Sequence, residues 1–166
     1  MAARGVHFAI AADQEARLLA AIGDDESVVA IVDEIEDAWD RDNLVESDKA
    51  WDPIHRCFCD GNLLYEGGDY PLNHLICGGR QLLVDDDAEG TVSYVSAPQV
   101  KDVAAAAAAI SKEAFLRRYG TIKQRGYQFR LGNEDFEYAW TNFVDVAAFF
   151  RSAANVERAV IFTTDC

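Results

Sequence analysis

Asp48, Trp51, Asp52 and His55 fall within one short segment. Asp52 and His55 stand three residues apart, so on a helix their side chains meet on one face. A carboxylate beside an imidazole can orient it for proton transfer. His74 adds a second imidazole further along the chain. The same residues also fit plainer duties. Asp52-Pro53 has the form of a helix N-cap followed by proline at the first helical position. His55 is then expected to pack beneath Trp51. These duties have their own sufficient cause and are the favoured reading. Asp48, Trp51, Asp52, His55 and His74 are nevertheless the candidate pocket, the place where a small-molecule site would be sought first.

A second constellation is His55-x-Cys57-x-Cys59 with His74-x-x-Cys77. Thiolates and imidazoles are zinc ligands. The spacing works against chelation, because residues two apart point to different sides of a helix. No Cys-x-x-Cys pair occurs. Unmodified cysteine is commonly a small buried hydrophobe, so core packing is expected and neither metal nor cofactor is assigned. Nucleophilic catalysis by Cys57 or Cys59 is also disfavoured. Both sit near a helix C-terminus in an acidic segment, whereas a reactive thiolate needs an electropositive setting. Cys166, at the chain end, is expected to be exposed and prone to oxidation.

Asp85-Asp86-Asp87-Ala88-Glu89-Gly90 lacks the alternating ligand order of a calcium loop. It is expected to be a solvated turn. Gly67-Gly68 and Gly78-Gly79 fit neither phosphate-binding glycine pattern, and no Gly-x-Ser-x-Gly elbow is present.

The elements that must position these residues follow from periodicity. Val6–Ile10 predicts a first strand. Asp13 is expected to cap a helix carrying Leu18, Leu19 and Ile22, stopped by Gly23. Val28, Val32, Ile35 and Trp39 form one apolar stripe of a helix over residues 26–40. Its other side carries Glu26, Asp33, Asp37 and Asp40. Residues 72–77 after Pro71 predict a short helix, and 82–84 and 91–96 predict two strands around the acidic loop. Pro98 begins a helix with Val100, Val103, Ala107 and Ile110 on one side, and Ser111 caps another through Tyr119. Asn133 is expected to cap the most regular helix, with Phe136, Trp140, Phe143, Ala147 and Phe150 on its inner face. Residues 159–164 are apolar enough to form a central strand. Strands at both ends with helices between them predict an α+β fold, one mixed sheet carrying helices in a single domain over residues 1–166.

Charge is distributed unevenly over the 166 residues, whose formal net charge is −14. Residues 24–60 hold thirteen carboxylates against three bases, a net of −10, while residues 98–130 carry a net of +5. Such acidity opposes phosphate contacts and anionic membranes, so neither nucleic acid nor a membrane is expected as a partner. Like charges at i, i+4 cost a helix about 0.2–0.5 kcal/mol per pair, so the Asp33–Asp37 stripe is not there for helix stability. Asp33, Asp37 and Asp40 are therefore the candidate protein-binding face. Its expected occupant is a basic protein or a second copy of the chain, through the basic stretch 112–125. The start of the chain shows no secretory signal and no window is long and apolar enough to span a bilayer, so a cytoplasmic location with reduced thiols is expected.

Several motifs in order resemble the YfbM-like family of bacterial proteins of unknown function. Asp48-Lys-Ala-Trp-Asp-Pro-Ile-His55, ending at Asp60-Gly61, is similar to the family's Asp-Lys-x-Trp-x-x-Ile/Leu-His segment. Pro71-Leu-Asn-His-Leu-Ile-Cys-Gly-Gly79, Ile110-Ser-Lys-Glu-Ala-Phe…Arg118-Tyr, the closing aromatic helix and the terminal strand follow in the family's order. Pro53 departs from the pattern and predicts a later helix start. The resemblance implies an α+β fold and a small bacterial cytosolic protein, and carries over no catalytic residue. Charge suggests two expectations of equal standing, an acidic protein-binding module of the inhibitor or immunity kind and acidity that serves solubility alone; a binder or enzyme using Trp51, Asp52 and His55 is the alternative.

Overall fold

The computed structural model describes residues 3–88 and 90–164. Among these residues five strands form one sheet: β1 (Gly5–Ile10), β2 (Leu44–Asp48), β3 (Arg80–Gln81), β4 (Thr91–Val95) and β5 (Ala159–Thr164), in the order β2-β1-β5-β4-β3. The α+β expectation holds. The sheet, however, is antiparallel at every described pairing rather than mixed. The cause is visible between β1 and β2. Two helices, α1 (Ala12–Ala21) and α2 (Asp25–Ala38), join these strands and pack on each other. A helix pair returns the chain to the end it left, so the next strand runs back antiparallel; a single crossover helix would have made it parallel.

Alternation along the central strands divides the core in two. Phe8 and Ile10 of β1, with Ala159 and Ile161 of β5, face α1 and α2. Ala9, Val160 and Phe162 point the other way, towards α3 (Trp51–Phe58), α4 (Ala97–Ala108), α5 (Lys112–Tyr119) and α6 (Asn133–Asn155). The result is three layers, helix–sheet–helix. It explains why β5 is nearly continuous in apolar residues: both of its faces are covered.

The aromatic stripe of α6 is the main wall of the larger cluster. Phe136, Phe143 and Phe150 are buried, with Trp140 and Ala147 packed at the margin. Phe115 of α5 stacks on Phe143 with centroids 4.9 Å apart. On the opposite layer Val28, Ile31, Val32 and Ile35 form the buried stripe of α2.

Several boundaries differ from the sequence reading, each for a local reason. Asp13 lies inside α1, whose cap is Ala11, tied by its amide to the Gln14 side chain. Asp24 caps α2 by accepting from Ser27. Trp39 leaves the helix in the left-handed region at φ 42° and turns its ring onto Phe8. Asp40 is thus not on α2; it caps the turn Arg41–Asn43. Strand β2 was not foreseen. Helix α3 begins earlier than expected, at Trp51, so Asp52 is in its first turn and is not its cap. The expected strand 82–84 shrinks to Arg80–Gln81 plus one bond from the Leu82 amide to Val92. Beyond it the Asp25 carboxylate takes the amides of Val84 and Asp85 and draws the chain towards α2. After Pro71 only the turn Leu72–His74 is helical, and Gly132 rather than Asn133 caps α6. Glu89 and Cys166 lie outside the described residues.

Candidate functional site

The expected pocket segment is present, but its side chains diverge. Asp48 ends β2 at a positive φ of 46° and accepts the Tyr138 hydroxyl at 2.7 Å, with Arg4 Nε 3.5 Å away. Trp51 turns the opposite way. Its Nε1 donates to the Ala3 carbonyl at 2.8 Å and its ring lies 5.8 Å from that of Phe162. Gly5 is required beneath it, because a Cβ there would meet both rings.

Asp52 is sealed inside, 2% exposed, and accepts from Arg56 Nε at 2.6 Å. Arg56 also donates to the Gly126 carbonyl at 3.0 Å and lies over the Tyr127 ring. Burial pushes the Asp52 carboxyl up, while the Arg56 guanidinium pulls it back. Through the Tyr127 ring the pair adjoins a second, part-buried polar group. The Tyr119 and Tyr127 hydroxyls both donate to Asp135 Oδ2, at 2.6 and 2.8 Å. Burial and the Asp135 charge together push both phenols well up. This assembly clamps α3, the 119–127 segment and the start of α6. Asp52 therefore hydrogen-bonds Arg56, and His55 feels it only as a nearby charge.

His55 points elsewhere in the same helix. Its Nε2 lies 2.6 Å from the Leu64 carbonyl and its Nδ1 lies 3.8 Å from Cys59 Sγ. A carbonyl only accepts, so Nε2 carries the hydrogen and Nδ1 presents a lone pair to the thiol. Burial lowers the His55 pKa. His74, half-buried, bonds Asn73 through Nδ1 and meets Tyr70 edge-on at 5.0 Å. It contacts neither Asp52 nor His55 in any of these bonds. Cys57, Cys59 and Cys77 are buried free thiols, in keeping with core packing. Burial raises Cys59 to about 11 and the other two further. Among the described residues, no three His, Cys, Asp or Glu side chains converge as a metal would need.

Sequence reasoning overlooked His7. It is fully buried on β1 among Phe149, Phe150 and Phe162, and its Nε2 donates to the Leu75 carbonyl at 2.8 Å. Among the described residues its Nδ1 has no hydrogen-bond partner. Its place in the strand alternation was the available signal, since every second residue of β1 faces the α6 layer.

The acidic face is built from two separate runs of sequence. Asp33 and Asp37 stand exposed on the outer side of α2, and Asp40 and Asp42 are exposed at its end. At the other end the Asp25 carboxylate holds the amides of Val84 and Asp85, at 3.0 and 2.8 Å. That bond fastens the start of the Asp85–Asp87 run to the first turn of α2. A shallow cleft of about 410 Å³ opens there, lined by Asp25, Glu26, Val29, Leu83, Asp85 and Ala88. Val29 and Val84 are exposed apolar side chains at 41% and 60%. A second cleft, of about 330 Å³, lies across the same loop and includes Tyr65 and Asp86. A groove of about 520 Å³ at the start of α6 runs from Phe129 to Asp135 and ends at Tyr138, the residue that holds Asp48.

The family model for a domain of unknown function, DUF1877, matches residues 1–163, and the chain belongs to that family. The crystal structure of YfbM from Escherichia coli, a protein of unknown function, is similar at 15% identity with a TM-score of 0.69. The alignment covers 97% of this chain and 99% of that one. At this identity the likeness shows the shared fold. No curated protein matches. Among the described residues no helix is long and apolar enough to cross a membrane.

Proposed function

We propose that this DUF1877 chain is an acidic protein-binding module of the bacterial cytosol, and that its partner presents a basic surface. One observation carries the reading. The Asp25 carboxylate, by accepting the Val84 and Asp85 amides, gathers two sequence-distant acidic runs around the exposed Val29 and Val84. A surface that repels itself electrostatically but is fastened by dedicated hydrogen bonds suits a partner of opposite charge. Complementary charge speeds encounter and selects the partner, while the apolar side chains at its centre supply contact area. The candidate pocket residues favour this reading over a small-molecule site, since Asp52 and His55 are each held by internal partners.

Capture experiments at low and high salt test it, with wild-type protein beside an Asp33→Asn/Asp37→Asn/Asp86→Asn variant. The reading predicts a basic protein held by wild type at low salt, released at high salt and missed by the variant. If wild type and variant retain the same proteins, the acidic face is not the binding surface.

A further inference from the structure

The helical layer on the far side of the sheet from α2 carries a basic face, on α5 and the loop after it. Residues 112–130 hold six bases, Lys112, Arg117, Arg118, Lys123, Arg125 and Arg130, against one acid, Glu113. Two of the six are occupied internally. Lys112 pairs with Glu137 at 2.8 Å, and Arg118 lies over the Phe58 ring at 5.1 Å. The other four are exposed and, among the described residues, have no ion pair. The chain has 29 acids for 15 bases, so a shortage of carboxylates does not explain this.

The loop that carries three of these bases is stitched by one side chain. The Gln124 amide donates to the Tyr127 and Phe129 carbonyls at 3.3 and 2.6 Å, and its side-chain oxygen accepts from the Leu131 amide at 3.0 Å. Arg56 holds the same loop from within through the Gly126 carbonyl. Lys123, Arg125 and Arg130 are thus displayed on an ordered frame, and Leu116 of α5 adds an exposed apolar side chain next to Arg117. The carboxylates bordering this face are Glu113, Glu137, Glu134 in the groove with Arg130, and Asp60 next to Gly61, which packs on Thr121. Six bases against these four leave the face positive.

We infer that this basic face binds the acidic face of a second copy, so that the chain associates head to tail. The inference rests on the acidic face being a binding surface and names the chain itself as the basic partner. Complementarity is the first reason. The acidic face offers exposed Asp33, Asp37 and Asp86 with Val29 and Val84; the basic face offers Arg117, Lys123 and Arg125 with Leu116. Placement is the second. Helix α2 packs on one side of the sheet and α5 on the other, so the two faces look away from each other. They do not meet within one molecule, and copies stacked in one direction bring each acidic face onto the next basic one, a heterologous contact. The formal charge of −14 opposes the approach of two copies. At about 0.15 M salt the Debye length is about 8 Å, which screens distant like charges and spares pairs in contact. Association is therefore strongest at intermediate salt.

Sedimentation velocity of the full chain tests this at about 0.01, 0.15 and 1 M salt, over which the Debye length falls from about 30 to about 3 Å. Wild type should form concentration-dependent species larger than the monomer at the middle salt, and fewer at either end. Two variants separate the faces: Asp33→Asn/Asp37→Asn/Asp86→Asn and Arg117→Gln/Lys123→Gln/Arg125→Gln. All six side chains are exposed, so both variants should keep the wild-type melting temperature to within a few degrees. Each alone should need about tenfold more protein to associate, the effect of losing three surface charge pairs. Mixed, they retain one acidic and one basic face between them and should form a one-to-one dimer and nothing longer. Wild type that stays monomeric at all three salts overturns this inference, while the capture experiment still decides the reading of the acidic face. Variants that associate as wild type does, a mixture that yields no dimer, or association that keeps growing up to 1 M salt would each overturn it as well.

Discussion

Arg56 Nε lies 2.6 Å from Asp52 Oδ1, one turn further along α3, and both side chains are almost wholly withdrawn from water. Removing one partner strands the other as a buried charge, which costs about 3–5 kcal/mol. Asp52→Ala should therefore destabilise by that amount in urea denaturation. Replacing both with apolar residues of similar size, Asp52→Leu/Arg56→Met, should recover most of the loss, because desolvating the pair offsets most of its attraction. If the double variant is as unstable as Asp52→Ala, the pair contributes specific bonding beyond charge compensation.

His7 predicts a pH dependence that belongs to the fold and not to any site. Burial depresses its pKa from 6.5 to about 4. The unfolded chain takes up the proton first as pH falls, so the His7 contribution is complete above pH 6.5 and declines until about pH 4. The loss is roughly 3 kcal/mol, from about 1.4 kcal/mol per pKa unit. Denaturation midpoints measured across this range should fall in wild type. They should fall less steeply in His7→Leu, although that variant leaves the Leu75 carbonyl unpaired and is less stable at neutral pH. Parallel curves would show that other groups govern acid sensitivity.

How far the sequence foretold these features depends on whether the signal is local. The α6 stripe and the α2 stripe were legible because one helix carries its own period, and β5 because a strand covered on both faces is apolar throughout. Strand β2 was not legible: Leu44–Asp48 alternates weakly and ends in acids, since only its pairing with β1 makes it a strand. Asp52-Pro53 carried a cap signature, yet the helix starts at Trp51 because Asp52 is claimed by Arg56. The meeting of Asp25 with Val84 and Asp85 joins residues far apart in sequence. No spacing rule announces such contacts.

The acidic face should be separable from stability. Asp33 and Asp37 are exposed, lie four residues apart and repel each other by about 0.2–0.5 kcal/mol on a helix. Asp33→Asn/Asp37→Asn should leave the melting temperature unchanged or slightly raised at low salt, with the difference vanishing at high salt. Asp25→Ala should behave otherwise. It releases the Val84 and Asp85 amides and frees the 83–88 loop, so it should destabilise by about 1 kcal/mol, the worth of a typical hydrogen bond. A large stability loss in the Asp33/Asp37 variant would give those residues a structural duty instead.

Tyr119 and Tyr127 share one acceptor oxygen on Asp135, and sharing has a measurable consequence. Each hydroxyl helps to stabilise the carboxylate that the other also uses. The bonds are therefore coupled, and Tyr119→Phe and Tyr127→Phe should not add. Each single change should cost about 1 kcal/mol. The double change should depart from the sum, because it leaves Asp135 Oδ2 without either phenol while each single change leaves one in place. The same geometry sets an alkaline limit. Both phenols have folded pKa values raised above the ordinary value of about 10, so their contribution is complete below that pH and declines as pH rises above it. Asp135→Asn keeps an acceptor but removes the charge that holds the phenols protonated. It should shift tyrosine ionisation, followed by absorbance at high pH, to lower pH. Unchanged titration in Asp135→Asn would mean that burial alone holds the two protons in place.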